Sequence, residues 1–259
     1  MPPKGCLKKS CLFALAVLLA VLSMGNAAPS YTVSIATQIP DAQQGNAQKQ
    51  DVLASLWVTQ RPDISQTFSQ TPLMTDRSLA LDGSNYPHIA YWQDHLYYAW
   101  HDGSTWHLET VDGAWGVARD VSLALDGSGS PHISYHDRSR SDLEYAYRNE
   151  SGWHIQTVDS DADIDCDTSL VLDGSGNPHI GYHTFGYPWG NLKYAYRDGA
   201  GWHIQTVTDS GWRSSLALDD SGNPHISYHD WGNSALKYAY KNESGWHIQT
   251  VDDDGYVGE

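Results

Sequence analysis

Residues 122–137, Ser122-Leu-Ala-Leu-Asp-Gly-Ser-Gly-Ser-Pro-His-Ile-Ser-Tyr-His-Asp137, decide the fold, because the stretch recurs with small changes from Ser78, Ser169 and Ser215. The copies are spaced by 44, 47 and 46 residues, and each is followed by a Tyr-Ala-Tyr-like run and then a Trp-His run. Every copy reads as four short strands. In the copy quoted, Ser122 to Leu125 is apolar with small residues interleaved, and Asp126 to Ser130 is a Gly-rich turn that joins it to the next run as a hairpin. Pro131 opens that run, where its missing N–H costs least. The two-residue period sends Ile133 and Tyr135 to one face and His132, Ser134 and His136 to the other. Leu143 to Tyr147 and Trp153 to Val158 alternate in the same way. Four strands in about 45 residues, repeated in tandem, is the signature of a β-propeller blade. The expected fold is therefore all-β, a β-propeller of four-stranded blades at 78–121, 122–168, 169–214 and 215–259. Leucine-rich and helical repeats have other periods, and a β-solenoid needs shorter coils.

Outward from the repeats, residues 28–77 do not match. Tyr31–Ile39, Val52–Thr59 and Ser65–Leu73 are strand-like, and Asp41–Gln50 is a Gln-rich loop. The segment is either a diverged first blade, which makes five, or a closing segment against the array. At the other end, Val251 to Glu259 looks like the connector that precedes each repeat. Either the ring closes there against the N-terminal segment, or the chain is a piece of a longer array, since a ring needs closure to hide its sheet faces.

Residues 1–27 read as a secretion signal: Lys4, Lys8 and Lys9 are the basic region, Leu12 to Met24 the apolar core, and Gly25-Asn26-Ala27 the small residues at the cleavage positions. The alternative, an N-terminal membrane anchor, calls for a longer apolar run. The mature protein is expected to be secreted, with no membrane span. Cleavage removes Cys6 and Cys11 and leaves Cys166 without an internal disulfide partner. Loss of the three lysines makes the formal charge of −16 three units more negative, which speaks against nucleic acid and anionic membrane surfaces as partners. The 13 histidines all lie between His88 and His247, so acidification through about pH 6.5 offsets much of that charge.

The run Leu-Asp-(Gly/Asp)-Ser-Gly-Asn-Pro-His-Ile-(Ser/Gly)-Tyr, at 172–182 and 218–228, resembles the tandem repeats of secreted bacterial and archaeal propeller proteins. Those are in turn similar to NHL and BNR/sialidase-like repeats. The resemblance covers Ser78 to Asp252 and implies a propeller. For activity it leaves lyases, glycosidases, lectins and interaction scaffolds open.

In a propeller the between-blade connectors and the loops after each second strand emerge on one face. That face collects Trp115, Asp137, Phe185, Tyr187, Trp189, Trp212, Asp230 and Trp231, with His136, His183 and His229 at the strand ends. Exposed aromatics beside acids suit sugar rings, whose apolar faces stack while their hydroxyls find polar partners. The plainer reading is that the tryptophans fill gaps between blades. The opposite face carries Asp-Gly-Ser-Gly and Asn-Glu-Ser-Gly turns and reads as bland; residues present in every copy, such as His88, His132, His179 and His225, are assigned to the scaffold.

Two metal readings arise. His132/His136, His179/His183 and His225/His229 lie four apart, about 13 Å along a strand at ~3.3 Å per residue, too far to share an ion. Asp159, Asp161, Asp163 and Asp165 alternate in a connector and are the candidate calcium ligands. The run departs from an EF-hand loop at Ile164 and Leu170, and an acidic solvated connector is the alternative. For catalysis there is no complete Asp-box and no Gly-x-Ser-x-Gly elbow, although Asp220-x-Gly222 echoes the former. Paired carboxylates of a glycosidase are not readable from sequence. The expectation is a secreted, non-catalytic binding or scaffolding module whose partner is a glycan or an extracellular protein. The alternative is a glycan-active enzyme, a sialidase-like glycosidase or a lyase, on the same face.

Overall fold

The structure, a computed structural model, describes residues 75, 77–115, 118–160, 164–185 and 190–254. They form four antiparallel sheets of four strands, and in each sheet the strand order follows the chain. The first blade holds β1 (Leu79–Leu81), β2 (Pro87–Trp92), β3 (Leu96–His101) and β4 (Trp106–Asp112). The second holds β5 (Ala118–Leu125), β6 (Pro131–Asp137), β7 (Asp142–Asn149) and β8 (Gly152–Asp159). The third holds β9 (Ile164–Leu172), β10 (Pro178–Thr184), β11 (Asn191–Asp198) and β12 (Gly201–Thr208), and the fourth β13 (Trp212–Leu218), β14 (Pro224–Asp230), β15 (Ala235–Asn242) and β16 (Gly245–Asp252). This is the β-propeller arrangement the repeat calls for. The signal reading lies outside the described residues, as does all but residues 75 and 77 of the segment 28–77 read as a fifth blade or closing segment.

The hairpin turn explains itself chemically. Asp126 Oδ1 accepts the N–H groups of Ser128 and Ser130 at 2.9 and 2.8 Å, and Gly129 sits at φ 83°, where a side chain is disfavoured. Gly176 and Gly222 repeat the geometry, and in the first blade Asn85 takes it at φ 64°, the residue type that best tolerates it after glycine.

Successive blades are joined by three repeated contacts. At the inner end, Ser122 Oγ accepts Leu170 N–H and Ser169 Oγ accepts Leu216 N–H, both at 3.0 Å. In mid-blade, Tyr135 Oη donates to Asp112 of the preceding blade at 2.8 Å, and Tyr182 Oη to Asp159 at 2.6 Å. At the outer strands, the indoles of Trp153, Trp202 and Trp246 donate to Glu109, Gln156 and Gln205 of the preceding blade at 2.9, 3.2 and 3.1 Å. Apolar clusters fill each seam, with Ile133, Ile180 and Ile226 fully buried. Each such side chain contributes about 1.5–3 kcal/mol relative to exposure. Because both faces of the sheet are covered, all seven residues of β6 are buried, not one face of it.

Arg77 links more distant blades, its guanidinium donating to Thr168 O at 3.1 Å and Ser214 O at 2.5 Å. Leu79 is 51% exposed, whereas Leu123, Leu170 and Leu216, its counterparts, are 7%, 5% and 5% exposed. Among the described residues, therefore, the first blade has no neighbour on its leading face.

Candidate functional site

The connector face was expected to gather the site, and the structure divides it. His136, Asp137, His183, His229 and Asp230 are buried, which corrects their placement on a ligand-facing surface. The reason is geometric: the end of each second strand is still sandwiched between blades. Asp137 and Asp230 shape the following loops, Asp137 accepting Ser139 N–H at 2.8 Å and Asp230 accepting the Asn233 side-chain amide at 2.8 Å. Trp115, Phe185 and Trp231 are exposed, on three different blades. Tyr187 and Trp189 lie outside the described residues. The fourth blade brings predicted residues together: Trp231 stands edge-on to Trp212 (5.2 Å) and to His229 (5.6 Å), and Arg213 lies 5.0 Å over the Trp212 ring.

The acidic connector is likewise redistributed. Asp159 ends β8, buried, and holds Lys193 Nζ at 2.8 Å as well as the Tyr182 hydroxyl. It is a blade-to-blade anchor. Asp161, Asp163 and the Asp165 side chain lie outside the described residues, among which no group of three His, Cys, Asp or Glu is placed to hold a metal. In the second blade, Arg140 spans Asp137 (2.8 Å), Asp142 (3.3 Å) and Glu144 (2.9 Å). Burial pushes the Glu144 and Asp142 carboxyls up, and Arg140 pulls the other way. At Glu144's position the third and fourth blades carry Lys193 and Lys237, each paired with an aspartate.

Among the described residues, two concave features lie on the turn face. Between the first two blades a groove of about 470 Å³ is walled by His88, Tyr98 and Trp100 on one side and by Pro131, Arg148 and Asn149 on the other. Between the last two, a groove of about 330 Å³ is walled by His179, Tyr194 and Tyr196, facing Pro224, Lys241 and Asn242. These are the same six repeat positions. The second seam carries His132, Tyr145, Tyr147, Pro178, Arg197 and Asp198 in those places.

Cross-strand stacking holds the aromatic wall rigid. Tyr98 stacks on Trp100 at 5.3 Å and Trp100 on His107 at 4.9 Å; Tyr194, Tyr196 and His203 repeat this at 5.7 and 4.8 Å. The groove histidines are oriented from both ends. His88, His132 and His179 share a hydrogen bond through Nδ1 with Tyr98, Tyr145 and Tyr194, and their Nε2 atoms lie 3.6, 3.7 and 3.8 Å from Asp82, Asp126 and Asp173. Burial holds these three rings below the usual histidine pKa, against the pull of the aspartates. Each groove thus offers aromatic surface, a cation, an amide and backbone groups: the elements of recognition without an activated nucleophile. Sequence reasoning missed these residues because it assigned features present in every copy to the scaffold. The signal was there in the four-fold Tyr-Ala-Tyr pattern (Tyr-Ala-Trp in the first blade).

No protein-family model matches the chain, and no curated protein does. Among solved structures it is similar to a fucose lectin from Kordia zhangzhouensis in complex with methyl-fucoside, at 20% identity over 52% of this chain and 99% of that one, with a TM-score of 0.39. It is similar to the NanB sialidase of Streptococcus pneumoniae at 14% identity over 59% of this chain and 27% of that one, TM-score 0.42. A Hadza microbial sialidase aligns at 11% identity over 68% of this chain and 46% of its own, TM-score 0.48. The chain thus spans less than half the length of either sialidase.

Proposed function

We propose that the protein is a non-catalytic glycan-binding propeller that takes sugar residues in the grooves between its blades. The observation that carries this reading is the recurrence of one groove, built from the same six repeat positions, at two separate seams. Both volumes fall within the range of about 300–1,000 Å³ usual for small-molecule sites. Stacked rings suit the apolar face of a pyranose, and Asn149 or Asn242 with the neighbouring cation suits its hydroxyls. Two such grooves on one chain raise the avidity for branched or clustered glycans without either being tight.

The test is a glycan array followed by calorimetry on any hit, with wild type, Trp100→Ala and the Trp100→Ala/Tyr196→Ala pair. The expected result is a stepwise fall in the number of sites per chain while the circular dichroism spectrum is unchanged. Unaltered binding by the double variant refutes the grooves as the site. The enzymatic reading draws on the raised carboxyls of Glu144 and Asp142. Glu144 is 1% exposed and lies under Arg140, which favours a structural part for it. Release of reducing ends from a polysaccharide panel, abolished by Glu144→Gln, supports the enzyme instead.

A further inference from the structure

The grooves are not chemically equal, and the difference lies in one pair of positions. On the outer hairpins of the second, third and fourth blades a cation and a tryptophan stand as cross-strand partners: Arg148 with Trp153, Arg197 with Trp202, Lys241 with Trp246. The tryptophan reaches back to the fourth strand of the preceding blade, where the residue met is Glu109, then Gln156, then Gln205. At the first seam, Glu109 takes Arg148 in a two-point pair, Nε to Oε2 at 2.9 Å and Nη2 to Oε1 at 3.0 Å, in addition to the Trp153 indole. The guanidinium is thereby neutralised. At the later seams the acceptor is an uncharged amide whose oxygen already serves the indole, and among the described residues Arg197 and Lys241 form no ion pair.

We infer that the groove at the third seam selects acidic sugars, with Lys241 receiving the ligand's carboxylate or sulfate, while the groove at the first seam takes neutral ones. This rests on the groove reading of the proposed function. Glu150 lines the first groove and Glu243 the third-seam groove, so what sets the two apart is Glu109, which occupies Arg148 while Lys241 keeps its charge for a ligand. Glu109 is the residue that turns this preference off at the first seam.

The decisive experiment is calorimetry on the full chain with matched pairs, methyl hexosides against the corresponding methyl uronides, for wild type, Lys241→Gln and Glu109→Gln. Wild type should favour the uronide of a bound pair roughly fivefold, what one partly exposed ion pair supplies. The preference should fall with added salt. It should vanish in Lys241→Gln, and Glu109→Gln should add one uronide site. Equal binding of both pair members, or a preference that survives Lys241→Gln, overturns the inference and leaves the grooves standing. Binding of no sugar by folded wild type overturns both.

Discussion

Tyr182→Phe tests the mid-blade contact that joins the second and third blades. The ring is fully buried, and its hydroxyl donates at 2.6 Å to Asp159, a carboxylate also held by Lys193 at 2.8 Å. Removing the hydroxyl leaves the ring's packing intact and takes one hydrogen bond from a buried charge, a loss of about 1.5–3 kcal/mol. Lys193 remains to partner Asp159, which places the cost near the lower end, about 2 kcal/mol. For a domain of about 150–250 residues each kcal/mol moves Tm by about 2–4 °C, so the variant should melt about 4–8 °C lower at pH 7. The control is Tyr91→Phe, the same repeat position in the first blade, whose ring is partly exposed and stacked on Tyr97. There the expected change is within about 0.5 kcal/mol. Thermal melts followed by circular dichroism decide it. Equal shifts for the two variants would show that the tyrosine hydroxyl does not hold the seam, and the contact would lose its place in the account of the fold.

Glu144→Gln should raise stability at neutral pH and lose that advantage in acid. Its folded carboxyl is held above the ordinary value by burial, so the charged form costs stability above that folded pKa and the cost is relieved as pH falls through it; urea melts at pH 7 and pH 4 measure the difference. The groove histidines act with the opposite sign. His88, His132 and His179 have folded pKa values below 6.5, so the unfolded chain takes up protons first and stability is lost as pH falls below about 6.5. Replacing all three with Gln should flatten that limb of the pH–stability curve. Finally, Asp159→Asn should destabilise equally with calcium and with chelator, because its partners are Lys193 and Tyr182; a loss seen only with calcium present would restore Asp159 as a metal ligand.

Much of the fold was legible from residues 122–137 alone. The Asp-Gly-Ser-Gly turn, the proline at the strand start and the two-residue alternation are local devices, and each acts within a hairpin. The strand bounds came out longer than the apolar runs, since β5 begins at Ala118 and β8 ends at Asp159. Those extra residues pair within their own blade past an irregularity in the register, Ala118 with Asp137 and Asp159 with Leu143.

The site was legible only as a list of residue types. Alternation along a strand says which side chains share a face, but not whether that face meets water or the next sheet. So His136, His183 and His229, read as ligand-facing, are buried at seams, and Asp159, read as a calcium ligand, anchors a lysine. The grooves needed two blades to exist: Trp100 and Arg148 come from different repeats, 48 residues apart, and no spacing rule within one repeat brings them together. The sequence by itself determined the repeated hairpins and the all-β architecture, because those depend on contacts a few residues apart. The tertiary structure alone decided which repeated aromatics face a cavity and which cations are already paired, because those depend on how one sheet leans against the next.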